Sequence, residues 1–436
     1  MTDKNKIAKV YLLCDCNNFF VSCEKIFRPD LKNRPVAVLS NNDGIVVSRS
    51  NETKALGIAM GSPVFKIQEK INRYKIQTFS SNFSLYLNIS NRVMLCLETF
   101  CQDIEIYSVD EAFLCLKNIT ETEAVKIAKR IRACVLKQIG ITVGVGIALT
   151  KTMAKLANHY AKSNPITGGI FCAISDDKRQ KILIENPIKE IWGIGPSSEE
   201  KLANEGIKNA YTLSKTDPDL MKKKYSINLA RTIKELNNID CIDSVADTDC
   251  QNQIMWSRSF KNRLTRKDDI FEAVANYVSC ACEKLRSLEL YAKKMALFIR
   301  TSYFGNAKKY SNEIAISLEY PCSDTRIFMS AAKIMLDKIY EDGYEYAKAG
   351  IILYDFKDSR SFQSDLFSLT PNQNDLNRNN NLMSAVDEIN KENKDTIYLG
   401  AQHSLTKVEN QMKDKINKDH FSKRYTASFD ELPEVF

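Results

Sequence analysis

Apolar residues in the first half of the chain follow two rhythms: short runs bounded by polar turns, and longer stretches with a three-to-four spacing. These are the signatures of strands and amphipathic helices. Val10 to Cys14 is an apolar run that ends at Asp15. Val36 to Ser40 and Ile45 to Ser48 read as strands about the turn Asn41-Asn42-Asp43-Gly44, and Lys54 to Leu56 leads into Gly57 as a helix end does. From Ser80 a polar cap opens a helix to about Phe100, with Leu85, Ile89, Val93 and Leu97 on one side. Ile104 to Tyr107 and Ala112 to Leu116 follow as strands. Thr122 to Gly140 is a helix with Val125, Ala128, Ile131 and Val135 on one face, and Thr142 to Ile147 is a β-branched strand.

The order strand, helix, strand, strand, helix, strand, with a small subdomain inserted after the first strand, predicts an α+β fold of the split β-α-β type. In that arrangement the two outer strands become central neighbours in an antiparallel sheet, both helices cover one face, and the end of strand one lies beside the hairpin. Beyond Gly169 the pattern changes to short helices around Trp192-Gly193-Ile194-Gly195. Asn237 to Asn252, with four Asp and no Lys or Arg, reads as a linker, so a new domain is expected near Gln253. After Phe356 the chain turns to Ser, Asn, Gln and Asp, the composition of a loosely ordered tail.

A length of 436 residues accommodates two to four domains. Hydrophobic residues at 44% and charged ones at 27% exclude a collagen-like or wholly disordered chain. The net charge of +8 becomes informative through its location, because residues 254–310 carry 12 Lys and Arg against 5 Asp and Glu. The 13 cysteines are odd in number and follow no segment resembling a secretory leader, so reduced thiols and a cytoplasmic setting are expected. Neither Cys14/Cys16 nor Cys280/Cys282 has zinc-type spacing. No apolar run approaches the roughly 18 residues of a membrane-spanning helix.

Asp15 at the end of strand one and Asp110-Glu111 in the tight connection between strands two and three are brought together by this topology. Clustered carboxylates repel unless cations neutralise them, and an oxygen-only set selects Mg²⁺ or Mn²⁺ over zinc. Two such ions about 3.5 to 4 Å apart make a phosphoryl-transfer centre. Spacing leaves a plainer reading open, in which Asp15 caps a turn and Asp110-Glu111 belongs to hairpin chemistry.

The residues around these carboxylates carry further information. Asp15-Cys16-Asn17-Asn18-Phe19-Phe20-Val21-Ser22-Cys23-Glu24 and Tyr107-Ser108-Val109-Asp110-Glu111-Ala112-Phe113 closely resemble the two catalytic motifs of Y-family, translesion DNA polymerases. Asn41-Asn42-Asp43-Gly44, Lys54-Ala55-Leu56-Gly57, the segment from Ser80 to Met94, Thr142 to Ala148 and Ser257-Arg258-Ser259-Phe260 resemble the UmuC branch in particular. The resemblance covers most of the chain.

It implies a multidomain right-hand polymerase with a ferredoxin-like palm (1–26 and 80–173), inserted fingers (27–79), a helical thumb (174–240), an α/β little finger (250–357) and a flexible partner-binding tail (358–436). It implies Asp15, Asp110 and Glu111 as catalytic residues and as ligands of two Mg²⁺ ions, or of Mn²⁺, with the Cys16 carbonyl lending an oxygen. Phe20 becomes the steric gate against a ribose 2′-hydroxyl. Phe19, Phe20, Ser48, Lys54 and Lys162 are expected at the incoming nucleotide, with Lys151 and Lys155 on the same helix as Lys162. Where many relatives carry an aromatic residue three positions before the basic residue of the fingers, this chain has Asn51.

Val143-Gly144-Val145-Gly146 is not a dinucleotide fingerprint, since Leu149 stands where a third glycine belongs, and it reads as a closely packed strand. The chain contains no Walker-type phosphate loop. Gly193-Ile194-Gly195 resembles a helix-hairpin-helix turn that binds DNA phosphate through backbone N–H groups, with an ordinary structural turn as the alternative. Arg258, Lys261 and Arg263 in the basic region are expected on duplex DNA, with a solvated charged face as the alternative. Gln363, Leu366 and Phe367 resemble the anchors of a sliding-clamp peptide.

These features predict an error-prone translesion polymerase of the SOS response. It would use primer-template DNA, dNTPs and the sliding clamp and, by resemblance, a processed UmuD dimer and RecA. A non-catalytic clamp- and DNA-binding checkpoint subunit of the same fold is the main alternative. A palm-fold cyclase is a second, although it has no use for the basic region or the clamp-like peptide.

Overall fold

A computed structural model describes residues 6–243, 252–358, 373–392, 396–402 and 420–432. The chain forms two compact units, Met1–Asp249 with Asn417–Phe436, and Cys250–Ile416. Among the described residues, no helix is long and apolar enough to cross a membrane.

The first unit is built on a five-stranded sheet. Its strands are β1 (Ile7–Cys16), β5 (Ile104–Ile106), β6 (Glu111–Ile119), β7 (Val143–Ala148) and β8 (Ile170–Cys172), in the order β5-β6-β1-β7-β8. As the element order predicts, β1 and β7 are antiparallel neighbours, with Asp15 opposite Gly144, and β6 flanks β1 on its other side, with Asp15 opposite Glu111. The strand β8, which periodicity does not separate from its Gly168-Gly169 turn, extends the sheet in parallel with β7.

Alternation along β1 sends Val10, Leu12, Cys14 and Cys16 to one face and Tyr11 and Leu13 to the other. The first face packs on the helices Phe83–Glu98 and Glu121–Ile139 through Leu85, Ile89, Val93, Ile131 and Val135. The Phe83–Glu98 helix is capped by Asn82, whose side chain accepts from Leu85 N–H. The Glu121–Ile139 helix opens with a Thr120–Glu123 capping box and buries Ala124 where the sequence pattern assigns Val125. That choice brings the smaller side chain to the sheet and leaves Val125 at the margin of the core.

The opposite face of the sheet is covered by the helix Lys151–Ser163 and by short helices between Asp176 and Leu236. The sheet is therefore buried on both sides.

Between β1 and the Phe83–Glu98 helix lies a three-stranded sheet of β2 (Val36–Leu39), β3 (Val46–Arg49) and β4 (Gln77–Ser80), in the order β3-β2-β4, with its own small core around Ala37, Val46, Ile58 and Ile67.

The second unit has a four-stranded antiparallel sheet of β9 (Gln253–Leu264), β10 (Leu290–Thr301), β11 (Ser311–Cys322) and β12 (Tyr346–Asp358), in the order β11-β10-β12-β9. The helices Lys267–Ser287 and Thr325–Ile339 bury Val274, Val278, Phe328 and Met335 against Met295, Leu297, Ile351 and Leu353 on one face.

The expectation of a flexible tail after residue 358 needs correction for its described parts. Gln373–Glu392 is a helix held to this unit by Arg286, which donates from Nε and Nη2 to the Asp387 carboxylate at 2.6 Å each, and by the buried Met383. Residues 420–432 pack on the first unit. A polar composition conceals such anchoring, because a few hydrogen-bonded side chains fix a segment that has little apolar periodicity.

Candidate active site

β1 and β6 run antiparallel so that the end of one meets the start of the other. Asp15 faces Glu111 in register, and Cys16 N–H donates to the Asp110 carbonyl at 2.8 Å. Ser108 builds the tight connection. Its Oγ donates to Asp110 Oδ1 at 2.6 Å and accepts from the N–H groups of Asp110 and Glu111 at 3.3 and 3.2 Å. The hairpin chemistry expected of Asp110-Glu111 and the gathering of three acidic residues therefore coexist.

The helix Lys151–Ser163 supplies counter-charge. Lys162 Nζ lies 2.5 Å from Asp15 Oδ1, and Lys155 Nζ lies 3.0 Å from Glu111 Oε1. The lysine can reach Asp15 because position 144 lacks a side chain: a Cβ there would stand 2.9 Å from Lys162 Cε. At Gly146 a Cβ would collide with the Ala154 carbonyl and the Asn158 backbone, so the paired glycines of β7 let this helix lie directly on the sheet. Burial raises the pKa of Asp15, opposed by Lys162, and raises that of Glu111, opposed by Lys155. Lys151 turns away, to Glu105 Oε2 at 2.6 Å and the Asp243 carbonyl at 3.1 Å, and does not join this group.

Among the described residues, no three His, Cys, Asp or Glu side chains are placed so that they could hold a metal ion together. The oxygens on offer are those of carboxylates, two of which are each paired with an ammonium group. That set suits a hard divalent cation in donor type, and in charge once the two lysines are drawn away.

Phe20 lies in the helix Phe19–Ile26 that follows β1. Its ring stacks on Tyr86, with centroids 4.6 Å apart and planes 15° apart, and meets Phe83 edge-on at 6.0 Å. Phe19, one position earlier and about 100° around the helix, is buried in the core at 3% exposure, which removes its ring from the expected nucleotide contacts. Ser48 is likewise buried, and its Oγ accepts from Val21 N–H at 3.4 Å. It ties β3 to the Phe19–Ile26 helix rather than standing open to a nucleotide.

Lys54 reaches Asn18 Oδ1 at 2.6 Å, while Asn18 Nδ2 donates to Asn51 Oδ1 at 3.1 Å. Asn51, where many relatives carry an aromatic residue, thus steadies the residue that holds Lys54. Burial lowers the Lys54 pKa, and Arg49 and Lys162 lower it further against the pull of Asp15. Arg49 was not foreseen, although its alternation along β3 with the buried Ser48 offered a signal.

Gly193 has φ +87, a conformation that favours glycine, and Gly195 precedes the helix Pro196–Asn204. The expected first arm of the helix-hairpin-helix is only a 3₁₀ turn, Ile188–Glu190, because Asn186-Pro187 ends the preceding helix. Trp192 beside this turn donates from Nε1 to the Tyr107 hydroxyl at 3.1 Å, and Lys155 lies 4.0 Å from the Tyr107 ring centroid.

In the second unit, period-two alternation puts Arg258 on the face of Ile254 and Trp256, which pack toward the helices, while Arg263 is exposed further along β9. The open face of the sheet instead pairs Lys348 with Arg300 across β12 and β10, beside Phe298, Gly350 and Ser257. Burial and the nearby Arg300 lower the Lys348 pKa. Strand alternation was the available signal for these two cations. Nothing is described of the Lys261 side chain, and Gln363, Leu366 and Phe367 lie outside the described residues.

The fold is that of the Y-family DNA polymerases. A chimeric Y-family polymerase built from Dbh and Dpo4 superposes with a TM-score of 0.63, covering 79% of this chain and 98% of its own at 19% identity. Residues 14–159 match the impB/mucB/samB family, residues 251–366 its C-terminal domain, and residues 380–435 a domain of unknown function. The UmuC protein of Salmonella typhimurium is 39% identical over 98% of this chain and all of its own length, and ImpB of the same species is 38% identical over 97% and 99%. DNA polymerase IV 2 of Mycobacterium tuberculosis is 26% identical over 74% of this chain and 91% of its own. The chain belongs to the impB/mucB/samB family, the UmuC type of Y-family DNA polymerase.

Proposed function

We propose that this polymerase performs translesion synthesis in the SOS response, in the cytoplasm, by two-metal transfer of a dNMP to a primer 3′-hydroxyl. The observation that carries the reading is Asp15 opposite Glu111, with Asp110 hydrogen-bonded across the same strand ends and a lysine against each of the paired carboxylates.

Asp15, Asp110 and Glu111, with the Cys16 carbonyl, would hold the two Mg²⁺ ions. When bound, these ions activate the attacking oxygen and stabilise the triphosphate and leaving pyrophosphate. Lys162 and Lys54, with Arg49 beside them, supply positive charge for the triphosphate as Lys162 gives up Asp15. Phe20 presents its ring edge to the sugar, where a 2′-hydroxyl would clash.

On this reading the first unit comprises palm, fingers and thumb, and the second is the little finger. The Gly193-Ile194-Gly195 turn and the little-finger cations hold the DNA backbone, and Gln363, Leu366 and Phe367 engage the sliding clamp. A processed UmuD dimer and RecA are the further partners that the family reading brings.

The test is primer extension with Mg²⁺ on undamaged and abasic templates, with and without those partners. Extension past the abasic site is expected. Tight binding of DNA and clamp without extension under any combination would leave only a checkpoint subunit.

A further inference from the structure

The contacts behind Phe20 lead away from the catalytic strands into the far C-terminal part of the chain. Phe20 rests on the Tyr86 ring. The Tyr86 hydroxyl donates to Glu24 Oε1 at 2.7 Å, and Ser422 Oγ donates to the same oxygen at 3.0 Å. Asn82 Nδ2 grips Ser422 Oγ at 2.9 Å and donates to the Lys423 carbonyl at 3.0 Å, while Asn82 Oδ1 caps the helix that carries Tyr86.

Further contacts seat the same segment. Ser80 N–H donates to the His420 carbonyl at 3.0 Å, Thr426 Oγ1 donates to Asn88 Oδ1 at 3.0 Å, and Tyr425 stacks on Phe27 with centroids 4.3 Å and planes 6° apart. Glu24, Tyr86, Asn82 and Ser422 are all buried. Glu24 Oε2 has no partner among the described residues, so the hydroxyls of Tyr86 and Ser422 on Oε1 are the hydrogen bonds that hold this buried carboxyl, and Ser422 belongs to an interior network rather than to a surface.

A sugar gate that works by steric clash is only as selective as its wall is stiff, and an ångström of play relieves such a clash. Phe83 meets the Phe20 ring edge-on from the same helix that carries Tyr86. The tilt of Tyr86 depends on its hydroxyl anchor, and that anchor depends on Ser422.

We propose that residues 420–428 are a built-in part of the nucleotide site, in which Ser422, Glu24 and Tyr86 act as positioning residues that hold the Phe20 ring for discrimination between deoxyribose and ribose. This gives a role to the end of the C-terminal region of unknown function, and it rests on the reading of Phe20 as the sugar-facing residue.

The test is the ratio of kcat/KM for a ribonucleotide to that for the matching deoxyribonucleotide. It is measured with the full chain under the conditions that support wild-type primer extension. General destabilisation lowers both values together and leaves the ratio in place. Phe20→Ala raises the ratio most. Ser422→Ala and Tyr86→Phe each raise it by roughly three- to tenfold, the weight of about one hydrogen bond, and Tyr425→Ala, which removes a ring stack, raises it by a similar factor. Ser422→Thr, which restores the hydroxyl, returns it toward wild type. In a Phe20→Ala background Ser422→Ala adds nothing.

Wild-type ratios for Ser422→Ala and Tyr86→Phe, with Phe20→Ala relaxed, overturn the inference and leave the Phe20 reading intact. A wild-type ratio for Phe20→Ala overturns both. Should Tyr425→Ala fail to fold, Ser422→Ala decides alone, since it deletes a single oxygen.

Discussion

The two units use the same string of elements, strand, helix, strand, strand, helix, strand, and wire it differently. In the first, the order β5-β6-β1-β7 puts the opening strand in the middle of the sheet; in the second, the order β11-β10-β12-β9 puts it at the edge. A central opening strand has a neighbour on each side, so its terminal Asp15 is pressed against Glu111 on one strand and Gly144 on the other. An edge strand has one side unpaired and tolerates charge along its length, which also discourages pairing with another chain. The gathering of Asp15 with Glu111 follows from the central place of the first strand, whereas the cations of the second unit, Lys348 and Arg300, lie on its two central strands.

The units also differ in how they treat buried polar groups. Arg286 and Asp387 in the second unit satisfy each other through two parallel hydrogen bonds. In the first, Glu24 Oε2 and Arg49 Nε are buried without a partner among the described residues, one behind Phe20 and the other beside Lys54. Thr152 Oγ1 and Asn238 Oδ1 are buried in the same way away from that site, so among the described residues imperfect satisfaction marks the first unit generally and not its acidic site alone.

The largest effect should come from the point where the central strand ends. Asp15→Ala, or Asp110→Ala with Glu111→Ala, should lower primer extension by at least about a thousandfold. Removal of divalent cations by chelation should do the same. Affinity for primer-template DNA, measured by fluorescence anisotropy, should fall little, because DNA binding is assigned elsewhere. Near-normal extension by either variant would break the assignment of acidic chemistry to the central strand.

Each sheet also contains a glycine at a point of close approach, and these should respond differently. A Cβ at Gly146 meets the backbone of the Lys151–Ser163 helix, which cannot yield locally. A Cβ at Gly350 meets the Cβ of Ser257, which the backbone fixes, and the rim of the Phe298 ring, which can turn. Gly146→Ala, where only backbone stands in the way, should therefore destabilise its unit by about 3 kcal/mol and Gly350→Ala, where a turning ring relieves part of the clash, by about 2 kcal/mol, read from urea midpoints. Equal losses would mean that the helix rides on the sheet less closely than its backbone contact implies.

Much of the central-strand architecture was legible because its signals are local. The run ending at Asp15, the Thr120 cap and the helical spacing of Leu85, Ile89, Val93 and Leu97 each depend on a few neighbouring residues. Phe19, Ser48 and Arg258 were harder because adjacent residues on one element diverge to different faces, so membership of a motif does not fix which way a side chain points. The docking of Ser422 on Glu24 spans 398 positions and leaves no periodic trace.

DNA binding by the second unit distinguishes the edge strand from the open face. Lys348→Ala with Arg300→Ala should weaken duplex binding about tenfold at moderate salt and reduce the salt slope by about 0.7 to 0.9 for each phosphate that is no longer neutralised. Arg258→Ala should have a smaller effect, since that side chain shares the face of Ile254 and Trp256. The reverse ranking, measured by salt titration, would return the interface to the edge strand.

The smallest effect concerns the unmatched carboxyl of the first unit. Burial pushes the Glu24 pKa up to about 7 against the hydrogen bonds from Tyr86 and Ser422, and the other titratable groups that feel it are Cys23 and Tyr425. A carboxyl that holds its proton more tightly in the folded state contributes stability below its unfolded pKa, which is lost as pH rises through the folded value. Between pH 6 and pH 8 the wild-type first unit should lose roughly 1 kcal/mol from this group, a few degrees in melting temperature. Glu24→Gln keeps the acceptor oxygen but cannot ionise, so its melting temperature should rise relative to wild type across that interval. The second unit, whose buried Arg286 is matched by Asp387, should melt identically in the two proteins. Parallel pH profiles for wild type and Glu24→Gln would show that water reaches the Glu24 carboxylate and that its burial behind Tyr86 is incomplete.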